Sequence, residues 1–196
     1  LGLVIPSTMV LALEENGPVS ATVRIAVTMI VPARSDAKGR SDDTAALPIT
    51  SWVTLRSGQP YVEVRTRIEN VAVRDHQVRV LFPTWLDAAC SYADRPFDVL
   101  ERPIALPDTT GWAEPMRGNH PQLGFLHIHD GANGMTLLGD GLPEGAVSDD
   151  ATRTMGLTLL RTMSEVNPKF AFPPPKREGL QCLGGGKANF GLTSLM

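Results

Sequence analysis

Tyr61-Val62-Glu63-Val64-Arg65-Thr66-Arg67-Ile68-Glu69 decides the fold class. In an extended chain Val62, Val64, Thr66 and Ile68 fall on one side, and Glu63, Arg65, Arg67 and Glu69 on the other. Strict period two over that length describes a strand with one face in a core and one in water. The pattern recurs upstream, where Val19, Ala21, Val23, Ile25, Val27, Met29 and Val31 occupy alternate positions. It recurs downstream, where Val78, Val80 and Phe82 alternate with Gln77, Arg79 and Leu81. Further strands are expected at residues 9–14, 50–55, 124–129, 135–138, 155–161 and 190–195. Turn chemistry separates them at Glu15-Asn16-Gly17-Pro18, Ser57-Gly58-Gln59-Pro60 and Asp130-Gly131-Ala132-Asn133-Gly134. Many short strands without a helical pattern predict an all-β antiparallel sandwich.

The bulk properties agree. A chain of 196 residues is long enough for one domain, residues 1–196, with a core of its own. Gly and Pro number 18 and 16, an excess that favours turns over long helices. The net charge of −3 carries no basic footprint for nucleic acid. No apolar run approaches the roughly 18 residues of a membrane span. Leu1 to Ile5 has no basic n-region, so no signal peptide is expected. The start at Leu suggests a piece of a longer protein. Cys90 and Cys182 stand far apart in sequence and read as buried reduced thiols of a cytoplasmic protein.

Three stretches interrupt the strands. Residues 33–43 read as a mobile polar loop, residues 104–121 as a long excursion, and residues 164–186 as a Pro- and Gly-rich connection. The glycines Gly184-Gly185-Gly186 before Lys187 are read as loop. They form no phosphate cradle, since Gln181 and Ala188 stand where Gly and Ser or Thr are required. There is no Gly-x-Ser-x-Gly elbow.

His127 and His129 share one face of a strand, a spacing that suits a metal, and His120 and Asp130 could complete a set. The plainer reading is a polar strand face. Carboxylates that could pair for glycosidic chemistry are Asp98 with Glu101, Asp149 with Asp150, and Glu114, Asp130, Asp140 or Glu144 in loops. Turn formation, or pairing with arginines such as Arg95 and Arg102, accounts for most of them. Trp52 and Trp85 are expected in the core, and Trp112 as the wall of a ligand site.

Several segments together resemble a known family. They are Val78-Arg79-Val80-Leu81-Phe82-Pro83-Thr84, Ser91-Tyr92-Ala93-Asp94, Phe97-Asp98-Val99-Leu100-Glu101-Arg102-Pro103, His120-Pro121-Gln122, Asp130-Gly131, residues 135–140, Arg153 with Thr158-Leu159-Leu160-Arg161, and Gln181-Cys182-Leu183-Gly184. In this order they resemble the C-terminal β region of glycoside hydrolase family 38, the α-mannosidases, especially bacterial mannosylglycerate-hydrolase-like members. The resemblance implies a galactose-mutarotase-like β-supersandwich. It implies a bacterial, cytoplasmic parent whose N-terminal catalytic and helical domains hold zinc, nucleophile and acid/base. This segment would then have no catalytic residue and no cofactor of its own. Where relatives read Phe-Val-Asp-Val-Ser-Asp-Gly, this chain reads Phe125-Leu126-His127-Ile128-His129-Asp130-Gly131, which favours a strand over a metal site. The resemblance also carries Asp140, in the Gly139–Gly145 loop, toward an α-mannoside.

The first expectation is therefore a non-catalytic module that scaffolds a retaining α-mannosidase and lines its sugar site through Asp140 and Trp112. A second is a free-standing carbohydrate-binding sandwich using Trp112. A third is a small metal enzyme built on His120, His127 and His129. On the first, faces bared by missing domains would make the isolated chain prone to self-association.

Overall fold

A computed structural model describes residues 7–36, 39–70, 72–112, 116–163 and 184–195. The strands are β1 (Thr8–Asn16), β2 (Ser20–Pro32), β3 (Ser35–Asp36), β4 (Gly39–Arg40), β5 (Thr44–Arg56), β6 (Val62–Asn70), β7 (Gln77–Phe82) and β8 (Cys90–Arg95). They continue with β9 (Asp98–Pro103), β10 (Asn119–Pro121), β11 (Phe125–His129), β12 (Gly134–Asp140), β13 (Glu144–Val147), β14 (Met155–Arg161) and β15 (Gly184–Leu195). All the pairings are antiparallel, and the described residues contain no helix.

Alternation sets which face each strand buries. On β6, Val64, Thr66 and Ile68 are buried while Glu63, Arg65, Arg67 and Glu69 are exposed. Nine strands form one sheet in the order β1-β2-β5-β6-β15-β12-β11-β8-β9. Four form the second, β10-β13-β14-β7. The sheets meet through Val64, Ala93, Leu126, Ile128 and Leu137 from the larger and Val147, Met155 and Leu157 from the smaller. A second cluster joins Val31, Leu47, Ile68 and Val73, with Val78, Leu159 and Leu160 against it.

The chain crosses between layers at the end of β12. Gly141 takes φ 69°, a conformation side chains with a Cβ resist, and β13 starts in the other sheet three residues later. A Cβ at Gly145 on β13 would stand 2.9 Å from Gln122 Oε1 and 3.1 Å from Leu126 Cδ2, so those side-chain ends would have to shift to admit one.

The all-β antiparallel expectation is met, and several local readings are corrected. The Gly139–Gly145 loop is the end of β12, a tight crossing and the start of β13. Gly184-Gly185-Gly186 belongs to β15, laddered opposite Asn70, Glu69 and Ile68. A ladder with β6 overrides the low strand preference of glycine. Residues 33–43 carry a small β3–β4 hairpin, closed by Ala33 N–H donating to Asp43 O at 2.7 Å. The β8–β9 hairpin was not foreseen as strands. Residues 164–183, and Cys182 with them, lie outside the described residues, whereas Cys90 is a free thiol on β8 that is half-buried, not buried as expected, because it starts the strand.

Trp52 and Trp85 are not core residues. Val53 faces the core, so its neighbour Trp52 must face the other way. There the Arg65 guanidinium lies 4.6 Å from the ring centroid, and the indole N–H donates to Glu14 at 3.0 Å. Trp85 leaves the strand run at φ 53° and is 71% exposed.

Leu137 is fully buried between the sheets, whereas its neighbour Leu138 reaches solvent. Leu137→Ala should cost roughly 2–5 kcal/mol in chemical denaturation, and Leu138→Ser less than about 1 kcal/mol. Equal effects would contradict the assignment of faces.

Candidate functional site

Leu126 and Ile128 point into the core, so His127 and His129 point outward from β11. The His127 ring nitrogen Nδ1 lies 2.8 Å from Thr136 Oγ1 on β12. His129 stacks on Tyr92 of β8 with centroids 5.3 Å apart, and on His127 at 5.5 Å. Burial lowers the pKa of His127, and the neighbouring His129 adds to the effect. This is a packed strip of three rings on two strands, tied to a third by Thr136. His120 stands on β10 in the other sheet. Among the described residues no three His, Cys, Asp or Glu side chains come together to hold a metal ion.

The densest polar constellation lies elsewhere, on the outer face of the four-stranded sheet. Glu144, 18% exposed, sits on β13 between neighbours from three other strands. Its Oε1 accepts from Thr158 Oγ1 at 2.7 Å, from Asn119 Nδ2 at 3.4 Å and from Gln77 Nε2. Arg79 approaches Oε1 at 3.5 Å, and Arg161 donates to Oε2 at 2.8 Å. One carboxylate thus ties β7, β10, β13 and β14. Sequence reading had Glu144 as a loop acid. Its signal was long-range, since Gln77 and Arg79 are 67 and 65 residues away.

Most other acids serve turns or arginines. Asp98 pairs with Arg95 at 3.0 Å and Asp149 with Arg153 at 2.8 Å. Asp130 accepts from the Ala132 and Asn133 amides, and Asp150 from Ser148 and Thr152. Glu101 stands on exposed β9, and Arg102, partly buried, has its pKa lowered first by that burial and then by Arg95. Asp94 is held most firmly. Burial opposes its charge, yet the N–H groups of Phe125, Gly124 and Leu123 all donate to it, and its pKa falls. It fixes the entry into β11. Glu114 lies outside the described residues.

Asp140 is exposed at the end of β12, and Trp112 is exposed in the long connection before β10. Neither lines either of two clefts. One, of about 480 Å³, lies between β9 and β10, with Glu101, Arg102, Leu106, Met116 and His120 in its walls. The other, of about 260 Å³, is walled by Trp85, Leu86, Asp87, Asp150 and Arg153. Two of its residues, Trp85 and Arg153, hold positive φ without being glycine. Such backbone persists only where surroundings fix it. Here the Trp85 amide donates to Thr152 O at 2.8 Å, and Arg153 Nε donates to Ala88 O at 3.0 Å. An exposed indole and the carboxylate of Asp87 thus share the wall of this cleft. Sequence reading favoured Trp112 as such a wall because a positive φ at Trp85 leaves no mark in local composition.

The model of the glycosyl hydrolases family 38 C-terminal domain matches residues 6–169. A protein of Halalkalibacterium halodurans named "Putative mannosylglycerate hydrolase" is 30% identical over 192 residues, covering 90% of this chain and 20% of that protein. The crystal structure of an α-mannosidase from Enterococcus faecalis superposes with a TM-score of 0.81 at 29% identity, over 96% of this chain and 22% of that one. A second glycosyl hydrolase family 38 structure from Enterococcus faecalis gives 0.78 at 27% identity, over 96% and 23%. The chain thus spans about a fifth of the length of these relatives.

Two outcomes are expected. Glu144→Gln leaves two guanidiniums without their carboxylate and should destabilise by roughly 1–3 kcal/mol in urea titration. An unchanged midpoint would mean that the network is idle. His127 binds its proton less readily when folded than when unfolded. Stability should therefore fall as pH drops from about 6.5 through its lowered folded pKa. His127→Gln should flatten that part of the pH–stability curve, and an identical slope would refute the assignment.

Proposed function

Because this chain belongs to the family of glycosyl hydrolase family 38 C-terminal domains, we propose that it is the non-catalytic β module of a longer, α-mannoside-hydrolysing polypeptide. The carrying observation is one of proportion. The family match runs through most of the chain, while the chain makes up only about a fifth of its relatives. The packing supports a scaffold. Both sheets share one core, and Glu144 ties all strands of the smaller sheet. Most of the described acids noted above are engaged by turns, arginines or backbone amides.

On this reading the nucleophile, the acid/base and the zinc belong to the rest of the polypeptide. Bound zinc would supply Lewis-acid stabilisation of a substrate hydroxyl or oxyanion there. The module's contribution is orientation, which matters because a misplacement of about 1 Å can cost roughly a hundredfold in rate. Asp140 and Trp112 are its proposed contacts toward the sugar. The partners are the catalytic and helical domains of the same chain and an α-mannoside substrate. The setting proposed with this reading is the bacterial cytoplasm.

The exposed Trp85 with its cleft favours a second reading, in which the module binds carbohydrate by itself. One series of measurements separates the two. An antibody to this chain should detect a native polypeptide several times larger than 21.1 kDa. That polypeptide should release the aglycone from an aryl α-mannoside with retention of configuration, and this chain alone should not. A native band at the chain's own mass would overturn the first reading. Saturable binding of a manno-oligosaccharide to the chain alone, lost in Trp85→Ala, would establish the second.

A further inference from the structure

Among the described residues, β9 is the last strand of the larger sheet and β10 the last of the smaller. Arg102 of β9 stands opposite Ser91, which is buried, so its side chain leaves on the core side. On β10, Asn119 reaches Glu144 on the outer face, so the next residue, His120, turns inward. The cleft of about 480 Å³ between these strands therefore takes a guanidinium from one layer and an imidazole from the other. Its remaining walls are mainly apolar. They come from the chain leaving β9, with Leu106 and Pro107, and from the chain entering β10, with Met116. Leu106 and Met116 are both exposed.

The sequence points to a nearby acid as the partner of Arg102, and the structure supplies none. Arg95 has Asp98, Arg153 has Asp149, and Arg79 and Arg161 share Glu144. Arg102 is partly buried, yet among the described residues its side chain has no ion pair and no hydrogen-bond partner. Besides that burial, the charge of Arg95 acts on it, and that charge has its own sign. Glu101 also lines the cleft, but its carboxylate acts on the outer side, where it hydrogen bonds with Cys90 and faces Tyr92. The imidazole of His120 is likewise without a partner among the described residues. Burial lowers its pKa and the charge of Arg102 lowers it further, so the ring is neutral at pH 7 and lies within reach of the guanidinium's field. A half-buried cation with no anion beside it has given up hydration without a return.

We propose that this cleft binds a small organic monocarboxylate, whose carboxylate meets Arg102 and His120 and whose apolar body lies against Leu106, Pro107 and Met116. The planar fork of a guanidinium matches the two oxygens of a carboxylate, and a neutral imidazole N–H adds a third donor. The charge count selects a monoanion. One full cation faces the cleft, so a phosphate dianion would keep a charge unanswered. The walls select the rest of the ligand, since a small hydrophilic anion would leave them wet, whereas an aliphatic chain covers them. A mostly apolar hollow of this size with a few convergent polar groups is the usual form of a small-molecule site. The site is separate from the Trp85 cleft and does not rest on the reading of the chain as a module.

Octanoate is the probe, and octanamide its uncharged counterpart. In calorimetric titration of this chain octanoate should bind saturably at one site, with octanamide and acetate each weaker by about tenfold or more. Inorganic phosphate should not displace it. Arg102→Met should weaken octanoate by about tenfold or more without lowering the melting temperature, because no partner is lost. Leu106→Glu places a carboxylate of the chain's own in the cleft and should abolish binding, a second route should Arg102→Met fail to fold. Phenylglyoxal modification mapped by mass spectrometry reads the place directly. Octanoate should slow the reaction of Arg102 over the same concentrations at which it binds.

A titration that never saturates overturns the proposal. Equal binding of octanamide reduces the site to an apolar trough and overturns it too. Full affinity in Arg102→Met, or an Arg102 that octanoate leaves unprotected, puts the ligand elsewhere with the same result. Displacement by phosphate at comparable concentration assigns a different anion and overturns the carboxylate. Where the native protein is the longer polypeptide of the first reading, it should bind octanoate as tightly as this chain does. Binding by this chain and not by that polypeptide would give Arg102 to an acidic side chain of the remainder, which overturns the small ligand and leaves the module reading intact.

Discussion

A sheet buries apolar side chains only where a second layer lies on it, and in this protein the two layers differ in width. At roughly 4.8 Å per strand, nine strands span about 38 Å and four about 14 Å. The core can be dense only beneath the smaller sheet. There Ile128, Leu137, Met155 and Leu157 are fully buried. Outside it the same alternation of side chains continues, but its apolar half meets solvent. Which core-facing leucines are buried and which are bare follows from this mismatch, while alternation alone turns others such as Leu138 outward.

The mismatch also explains where polar chemistry gathers. The smaller sheet lends one face to the core and keeps the other for Glu144, Arg79, Arg161 and Gln77. These groups bond across strands, so the sheet is held by side chains as well as by its backbone ladder. On the far side of the larger sheet, Glu14, Arg24, Trp52 and Arg65 form a comparable surface belt. Neither belt offers an idle pair of carboxylates. Both brace the strands they cross.

Period-two alternation made β1, β2, β6, β7, β11 and β14 legible in the sequence, because one residue in two had to be apolar. It was silent where tertiary pairing decided the outcome. β8 and β9 carry mixed faces such as Ser91-Tyr92-Ala93-Asp94 and become strands by pairing with each other and with β11. The three glycines of β15 look like loop until β6 is placed beside them. The candidate site residues were harder still. Asp140 and Trp112 came from likeness and loop position, whereas Trp85 needed a backbone angle and Glu144 needed four strands in register. The order of motifs, in contrast, was enough to identify the family from the sequence itself.

The place of β15 has a consequence for how the molecule comes into being. It is the last described segment in sequence, yet it lies in the middle of the larger sheet, between β6 and β12. Until it arrives, β1-β2-β5-β6 and β12-β11-β8-β9 are two separate four-stranded blocks with unpaired inner edges. A ribosome making this protein must therefore synthesise nearly all of these residues before the sheet can close. For that interval both edges are open to pairing with other nascent chains, and crowding on a polysome is the condition in which this fold is most exposed to error.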